Sequence, residues 1–241
     1  RACRRGRGHC QAGCIGNALG RAQVNRGQIV AKASLQDSLD KGLQELPGVE
    51  PSAPVLETLL AFVHLLERWN RSYNLTAVRD PSEMVFRHVL DSLTVLPWVG
   101  SGRLLDAGTG GGLPGVPLAI ARPELAVTLL DSAGKKIRFL NHVKRELGLD
   151  NVMPVQSRLE ACSPGEPFDT VISRAISSLE SFAAAARHLC LEDTRLLAMK
   201  GRVAEGEIGS LTEWVSVDSV EKLKVPGLHE DRQLVFMSVI A

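Results

Sequence analysis

From residue 102 onward, short apolar runs alternate with segments whose apolar side chains recur at helical spacing. Apolar runs of this length are typical of buried strands, and spacings of three and four residues are typical of amphipathic helices. Strands that alternate with helices predict a mainly parallel sheet covered on both faces. The predicted strands are 103–108, 126–131, 152–156, 169–174 and 195–200, and the predicted helices are 115–121, 134–147, 178–190 and 203–212.

Residues 34–97 have the pattern of a helical segment that precedes the sheet. Asp80-Pro81-Ser82-Glu83 predicts a helix that begins at Pro81, with Asp80 as its cap and Glu83 reaching back to it. The connector 69–76 contains Asn residues, which tolerate the left-handed backbone that ends helices. One apolar face is predicted for the helix before this connector, formed by Val55, Leu59, Val63, Leu66 and Trp69.

Two further apolar runs, 214–225 and 232–240, flank Pro226-Gly227 and predict an antiparallel hairpin. Five parallel strands followed by such a hairpin form the α/β, Rossmann-like sheet of class I methyltransferases. The predicted organisation is a disordered or non-native tail over 1–33, a helical cap over 34–97 and a methyltransferase domain over 98–241.

Composition and charge limit the possible partners. Hydrophobic residues make up 44% of the chain and charged residues 23%, which is ordinary for a globular protein. No run approaches the 18 apolar residues of a membrane span, so we expect no membrane contact. Five cysteines form no disulfide framework, which favours a reducing compartment and a cytoplasmic location. Residues 1–36 hold seven basic and no acidic side chains, so 37–241 is mildly acidic and would need a local basic patch to meet RNA.

The segment from Arg103 to Gly115 has the pattern of a strand, a glycine-rich turn and a helix start. Gly108 is predicted to supply the tight turn, and Gly110 or Gly112 the close approach of the backbone to a ligand. About 20 residues downstream, Asp131 ends the next strand and is placed to accept hydrogen bonds from a ribose. Its alternative role is to cap the helix over 134–147, for which Ser132 competes.

The acid Asp106 just before the glycines favours S-adenosylmethionine over a dinucleotide, because the ammonium and sulfonium groups of that cofactor are cationic. Gly110, Gly112 and Gly115 also satisfy the dinucleotide pattern G-x-G-x-x-G. Two prolines that follow remove N–H donors that a pyrophosphate would need.

Three more groups of polar residues are candidates for the site. Ser157 to Glu160 follows the third strand, where adenine is typically contacted. Arg174 and Lys200 end the fourth and fifth strands, and we expect each to meet cofactor or substrate, the alternative being a structural ion pair. The helix over 134–147 has a basic face that could bind phosphate or be only a solvated surface, formed by Lys135, Arg138, His142 and Arg145.

Absent motifs narrow the chemistry. The fourth strand is not followed by the Asp- or Asn-Pro-Pro-aromatic motif of amino-group methylases, neither Cys162 nor Cys190 follows a proline, and no metal-ligand cluster is present. These absences leave, as the atom to be methylated, one that is already nucleophilic, such as a ring nitrogen. Its methylation requires in-line placement and little acid–base help, so we assign no catalytic residue and no metal.

Many ordered motifs resemble the ribosomal RNA small subunit methyltransferase G family, also called the glucose-inhibited division protein B family. The resemblance runs from about residue 34 to the C-terminus and rests on Trp69-Asn70, Tyr73-Asn74-Leu75-Thr76, Arg79-Asp80-Pro81, Arg87-His88, Leu90-Asp91-Ser92, Asp106 to Gly115, Leu129-Leu130-Asp131-Ser132, Gln156-Ser157-Arg158, Ser173-Arg174-Ala175 and Lys200-Gly201. One departure is Gly111, where relatives often have Pro.

This resemblance implies N7-methylation of a guanine in 16S ribosomal RNA, with S-adenosylmethionine as methyl donor. We expect a monomer that acts on RNA within a small-subunit particle. The resemblance also implies cofactor contacts for Gly108, Leu113, Leu159, Glu160 and Arg174.

Two other function classes stay open from the sequence. One is a non-catalytic RNA- or ribosome-binding protein with a degenerate cofactor fold, which calorimetry with S-adenosylmethionine would distinguish. The other is a dinucleotide-dependent oxidoreductase, which NADH fluorescence would distinguish.

Overall fold

The computed structural model describes residues 34–174 and 176–240, which contain a seven-stranded sheet of order β3-β2-β1-β4-β5-β7-β6. The first five strands are parallel, and β7 runs antiparallel between β5 and β6. The predicted sheet and closing hairpin are therefore confirmed. The strands are β1 (Arg103–Ala107), β2 (Ala126–Asp131), β3 (Val152–Gln156), β4 (Thr170–Arg174), β5 (Arg195–Lys200), β6 (Val215–Lys222) and β7 (Gln233–Val239).

Helices cover both faces of this sheet, as the alternating pattern predicts. Short 3-10 turns lie at Leu159–Ala161, Arg187–Leu189 and Ile208–Ser210. No helix in the described residues is long and apolar enough to cross a bilayer. The helices are α1 (34–45), α2 (Ala53–Tyr73), α3 (Pro81–Met84), a π-helical turn (Val85–Leu90), α4 (Asp91–Leu93), α5 (Gly115–Ala121), α6 (Gly134–Leu147) and α7 (Leu179–Ala186).

The helices before the sheet share a hydrophobic core with it. Phe62 and Leu66 of α2 and Phe139 of α6 are fully buried in the same cluster as Leu129 of β2. The apolar stripe predicted for α2 is thus the face that packs inward, with Leu59, Val63 and Leu66 buried. A second cluster lies between the sheet and α7.

The predicted ends of the helices before the sheet are mostly confirmed. The Asp80 carboxylate accepts a hydrogen bond from the Ser82 amide at 2.8 Å, and α3 begins at Pro81. Asn74 closes α2 with a left-handed backbone, φ 49°. Glu83 was expected to reach back to Asp80, but its carboxylate accepts from Arg87 Nε at 2.7 Å, one turn further along the helix.

The prediction of a helix over 203–212 is wrong. Among the described residues of this stretch, only the 3-10 turn Ile208–Ser210 is helical. Gly206 has a φ of 80°, which breaks a helix, and the Glu207 carboxylate accepts hydrogen bonds from the amides of Ala204 and Leu179. The helix predicted over 178–190 is shorter than expected, because α7 tightens into a 3-10 turn after Ala186.

Candidate functional site

A cleft of about 540 Å³ opens at the carboxyl ends of β1, β2 and β4, where ligands bind in doubly wound sheets. Its volume lies within the range of small-molecule sites. The structure brings together five of the residues predicted to bind the cofactor. These are Gly108, Asp131, Leu159, Glu160 and Arg174.

The glycine loop places its backbone, rather than side chains, against the cleft. The amides of Gly108 and Thr109 both donate to the Leu130 carbonyl at 2.9 Å, which fixes the turn after β1. Gly108 has a φ of 72°, and a Cβ added there would meet nothing within 4 Å, because it would project into open space. The predicted tight turn is confirmed, and the cleft can hold a ligand close to this backbone.

The other predicted loop residues, Gly110, Gly112 and Leu113, are not among the residues that line the cleft. Gly110 donates its amide to Asp131 Oδ2 at 3.0 Å. A Cβ on Gly112 would lie 2.6 Å from Val116, so packing against α5 requires glycine there. Leu113 is buried in the core. The structure therefore does not bring Gly110, Gly112 and Leu113 to the cleft surface, and their contacts with the cofactor stay predictions.

Asp106 braces the glycine loop from inside. It is fully buried, and its Oδ2 accepts from Thr109 Oγ1 at 2.6 Å and from the Gly115 amide at 2.8 Å. Its Oδ1 has no hydrogen-bond partner among the described residues. Asp106 does not line the cleft. The favourable effect of its carboxylate on a cationic cofactor stays a prediction. The role of Asp106 is to join β1 to the first residue of α5.

The buried position of Asp106 predicts an unusual pH dependence of stability. Burial raises the pKa of Asp106 from 3.8 to about 6, although the Thr109 and Gly115 hydrogen bonds oppose that rise. The folded protein then binds the proton more tightly than the unfolded chain does. This contribution to stability is full below pH 3.8 and is lost as the pH rises through about 6.

Asp106→Asn removes this titration, so the wild type should gain stability relative to the variant as the pH falls from about 7 to about 4. The expected change in the difference of unfolding free energies is about 2 kcal/mol. Denaturant unfolding of both proteins at several pH values measures it, and subtraction cancels the titrations that the two share. A difference that stays constant with pH would contradict the prediction.

Asp131 is the second carboxylate of the site, and it does reach the cleft. It is 5% exposed, its Oδ2 accepts from Gly110 and from Lys136 Nζ, and its Oδ1 accepts from the Ala133 amide at 2.9 Å. The cap residue of α6 is Ala133, so neither Asp131 nor Ser132 caps that helix directly. A carboxylate oxygen can accept more than one hydrogen bond, and within the described residues Oδ1 accepts only one, so Asp131 keeps capacity for a ribose hydroxyl.

The far wall of the cleft combines apolar and polar groups. Leu159 and Glu160 lie on the 3-10 turn after β3, and Leu159 packs against the second core cluster. Ile176 and Phe182 also line this wall. Such a slot fits a flat base with polar groups at its edge, which agrees with the adenine role predicted for this segment.

Arg174 makes the structural ion pair that the sequence left open as an alternative, and its contact with cofactor or substrate stays a prediction. Its Nη1 donates to Asp91 Oδ2 and to the Arg87 carbonyl, both at 3.1 Å, so the structural ion pair exists. The same side chain is 22% exposed and lines the cleft. Arg174 is therefore held by Asp91 at the edge of the site.

A second cavity of about 480 Å³ lies beside the cleft and shares Arg174 and Ile176 with it. Lys200 lines this cavity, but its Nζ is paired with the Glu207 carboxylate at 2.5 Å, and its side chain is only 11% exposed. The tentative RNA contact of Lys200 stays a prediction, and the structure gives the ammonium group a protein partner. The sequence assigned no role to Asp91 or Arg232, which also line the cavity.

His88 borders the second cavity as a neutral imidazole. Its Nδ1 donates to the Arg87 carbonyl at 2.8 Å, and its Nε2 accepts from Thr76 Oγ1 at 2.8 Å. Burial, with the nearby Arg174 charge, lowers the pKa of His88 to about 4. Both ring nitrogens are thus engaged, and Nε2 holds Thr76 of the connector after α2.

The basic face predicted for α6 is only partly exposed to solvent. Lys135 and Arg138 are exposed, and the intervening Lys136 lines the cleft. His142 is half-buried, with its ring 5.2 Å from that of Trp69, so it does not belong to a solvated stripe. Contact of Lys135 and Arg138 with RNA stays a prediction.

Comparison with known proteins agrees with this geometry. The model of the family described as "rRNA small subunit methyltransferase G" matches residues 55–235. A curated ribosomal RNA small subunit methyltransferase G from Enterobacter sp. (strain 638) is 50% identical over 193 residues, covering 80% of this chain and 93% of that protein. The protein of the same name from Salmonella arizonae is 52% identical over 179 residues, covering 74% and 86%.

Solved structures show the same fold at low sequence identity. The glycopeptide N-methyltransferase MtfA, complexed with S-adenosylmethionine, matches with a TM-score of 0.54 and 14% identity, covering 64% of this chain and 94% of that one. An O-methyltransferase from Bacillus cereus matches with a TM-score of 0.52 and 16% identity, covering 75% and 91%. The sheet is thus that of class I methyltransferases. The chain belongs to the rRNA small subunit methyltransferase G family and is an S-adenosylmethionine-dependent methyltransferase.

Proposed function

We propose that this protein transfers the methyl group of S-adenosylmethionine to N7 of a guanine in 16S ribosomal RNA. The observation that carries the proposal is the pair of adjoining cavities that share Arg174. One cavity has the carboxylate and apolar wall that a nucleoside cofactor requires, and the other offers space for a second flat ring beside it. Family membership supports the RNA substrate.

Four groups of the chain fit the cofactor. Asp131 would accept hydrogen bonds from the ribose hydroxyls, because its carboxylate reaches the cleft with unused acceptor capacity. Leu159 and Phe182 would pack on the adenine, and the open backbone at Gly108 would allow the chain of the amino acid moiety to pass. Bound there, S-adenosylmethionine supplies a methyl group activated by a sulfonium.

The proposed reaction needs placement more than proton transfer. The N7 lone pair of guanine forms a bond to the methyl carbon while the carbon–sulfur bond breaks, and the bonding electrons remain on sulfur. N7 carries no proton, so no general base is required. The protein's contribution is then to hold the lone pair in line and to exclude water.

We further propose that the protein acts as a monomer on RNA within a small-subunit particle. The segment 37–241 carries more acidic than basic side chains, so tight binding of a bare strand is unfavourable. Methylation of small-subunit particles should be at least about 10-fold more efficient than that of a short oligonucleotide containing the target, because a folded surface presents more phosphates. Equal efficiency on the two substrates, measured with labelled methyl donor, would contradict this proposal.

Mapping of the methylated nucleotide tests the proposed function. Purified protein, labelled S-adenosylmethionine and unmethylated particles are incubated, and the 16S RNA is digested and analysed by mass spectrometry. Borohydride reduction followed by aniline cleaves RNA at 7-methylguanosine and gives the position. We expect one labelled 7-methylguanosine. A methyl group on another atom or base would reject the proposal, and no transfer would favour a binding role.

A further inference from the structure

We propose that the second cavity binds the target guanine and that Asp91 is a positioning residue, which turns the donors of Arg174 toward the O6 oxygen of that base. This inference rests on the proposed function, and it deepens it by assigning the base-binding pocket and the group that selects guanine. No sequence pattern predicted a role for Asp91 or for its second partner, Arg232.

The first support is the position and lining of the cavity. It opens beyond the carboxyl ends of β4 and β5, the strands that end in Arg174 and Lys200, and it adjoins the cofactor cleft. A base placed there would lie next to the ligand of the cleft. Apolar side chains and cations share the lining, which suits a flat ring with an acceptor edge. The apolar members include Val78, Ile176, Met199 and Leu223.

The second support is the state of the Arg174 guanidinium. Its Nη1 is the atom that donates to Asp91 and to the Arg87 carbonyl. Within the described part of the chain, its Nη2 and Nε make no hydrogen bond, so their protons can serve a ligand. An arginine has donors but no acceptor. Its donors therefore match the O6 acceptor of guanine and cannot match the 6-amino group of adenine.

The third support is the way Asp91 fixes that guanidinium. Asp91 is 2% exposed, and its two oxygens are divided between two cations. Oδ2 accepts from Arg174 Nη1 and Oδ1 from Arg232 Nε, both at 3.1 Å. Arg232 is itself tied at its other two nitrogens, to the Asp231 carbonyl and to Glu230. Movement of either arginine would leave this buried carboxylate with one cation instead of two, which is unfavourable, so both guanidinium groups are held in place.

A base buried in this cavity must leave its stack. Enzymes that modify bases extrude the target nucleotide into such a pocket, and they read it by hydrogen bonds to its edge. The proposal therefore predicts that the protein distinguishes guanine from adenine even as isolated nucleotides.

Two variants and one matched control test the assignment. Asp91→Asn removes the charge that holds both arginines, and Arg232→Gln removes one partner at a less buried position. Arg195→Gln is the control, because Arg195 is exposed at the opposite end of β5 from Lys200. For each protein, calorimetry gives the affinity for S-adenosylmethionine, steady-state assays give kcat and KM for particles, and guanosine and adenosine 5′-monophosphates are compared as inhibitors.

In the wild type, the guanosine nucleotide should inhibit at least about 10-fold more strongly than the adenosine nucleotide, as one arginine contact to a base edge provides. Asp91→Asn and Arg232→Gln should lose most of this preference. Their kcat should fall by about 10-fold or more, while the affinity for S-adenosylmethionine and the KM for particles change less than about 3-fold. Arg195→Gln should match the wild type in every measurement.

Equal inhibition of the wild type by the two nucleotides, or no inhibition by either, would overturn the assignment. So would an unchanged kcat and an unchanged nucleotide preference in Arg232→Gln, which stays testable if Asp91→Asn does not fold. A purely structural role would instead lower the fraction of protein that binds S-adenosylmethionine. Product mapping on the wild type reports separately on the proposed function, because a methyl group on another atom rejects that function whatever the variants do.

Discussion

Arg174→Ala is expected to lower methyl transfer by at least about 100-fold, which is the largest effect that we expect from one side chain. The variant removes a guanidinium that borders both cavities and leaves the buried Asp91 carboxylate with one cation instead of two. Removal of one partner of a buried hydrogen-bonded charge pair costs about 2–5 kcal/mol, and about 2.7 kcal/mol within that range corresponds to a 100-fold loss. Single-turnover transfer to small-subunit particles measures it.

The same assay needs two accompanying measurements. Calorimetry with S-adenosylmethionine shows whether the affinity for the donor falls less than the transfer rate, as expected for a group that holds the substrate base. Thermal unfolding should show a lower melting temperature, because Asp91 is less well compensated. Arg195→Ala removes an exposed guanidinium from the other end of the neighbouring strand and should leave transfer unchanged. Near-normal turnover in Arg174→Ala would remove this residue from the site.

Asp131→Ala should weaken the binding of S-adenosylmethionine by about 100-fold. The ribose would lose its carboxylate acceptor, and a hydrogen bond to a charged group contributes about 1.5–3 kcal/mol. The Gly110 and Ala133 amides would also lose the oxygens that hold them, so the loop beside the ribose would be less ordered.

Asp131→Asn is the matched variant for this prediction. It keeps one acceptor oxygen and nearly the same volume, so its loss of affinity should be smaller than that of Asp131→Ala. Calorimetry measures both affinities, and circular dichroism verifies the fold. An affinity of the alanine variant within about 3-fold of the wild type would show that Asp131 only fixes the turn between β2 and α6.

The sheet could be predicted from the sequence because its signals are local. Each parallel strand is an apolar run bounded by turn residues, and the hairpin follows from Pro226-Gly227 between two such runs. Asp80 and Asn74 could be assigned for the same reason, since a cap acts on amides within a few residues.

The segment after β5 could not be predicted in this way. Residues 203–212 have apolar positions compatible with a helix, but the Glu207 side chain competes for backbone amides and for Lys200. The Leu179 amide lies 28 residues away in the chain, and a helical pattern does not contain this contact. Tertiary contacts override local propensity here.

The predicted carboxyl ends of the strands indicated where the site lies. The residues that pair with its charged side chains could be identified only from the structure. Asp131 and Arg174 were found because they end strands, and ligands bind outside the carboxyl ends of parallel strands. Asp91 has its partners 83 and 141 residues away, and no spacing rule connects them. Asp106 lies one residue before the end of β1, yet its side chain turns inward to Thr109 and Gly115.

The separation between Asp91 and Arg232 has a consequence for biosynthesis. Translation delivers Asp91 well before Arg232, which lies at the start of the last strand, next to Gln233. A chain that is still on the ribosome would pair Asp91 with Arg174 alone, so the proposed base pocket would lack its second arginine. Selective modification of guanine would therefore be acquired only as β7 joins the sheet.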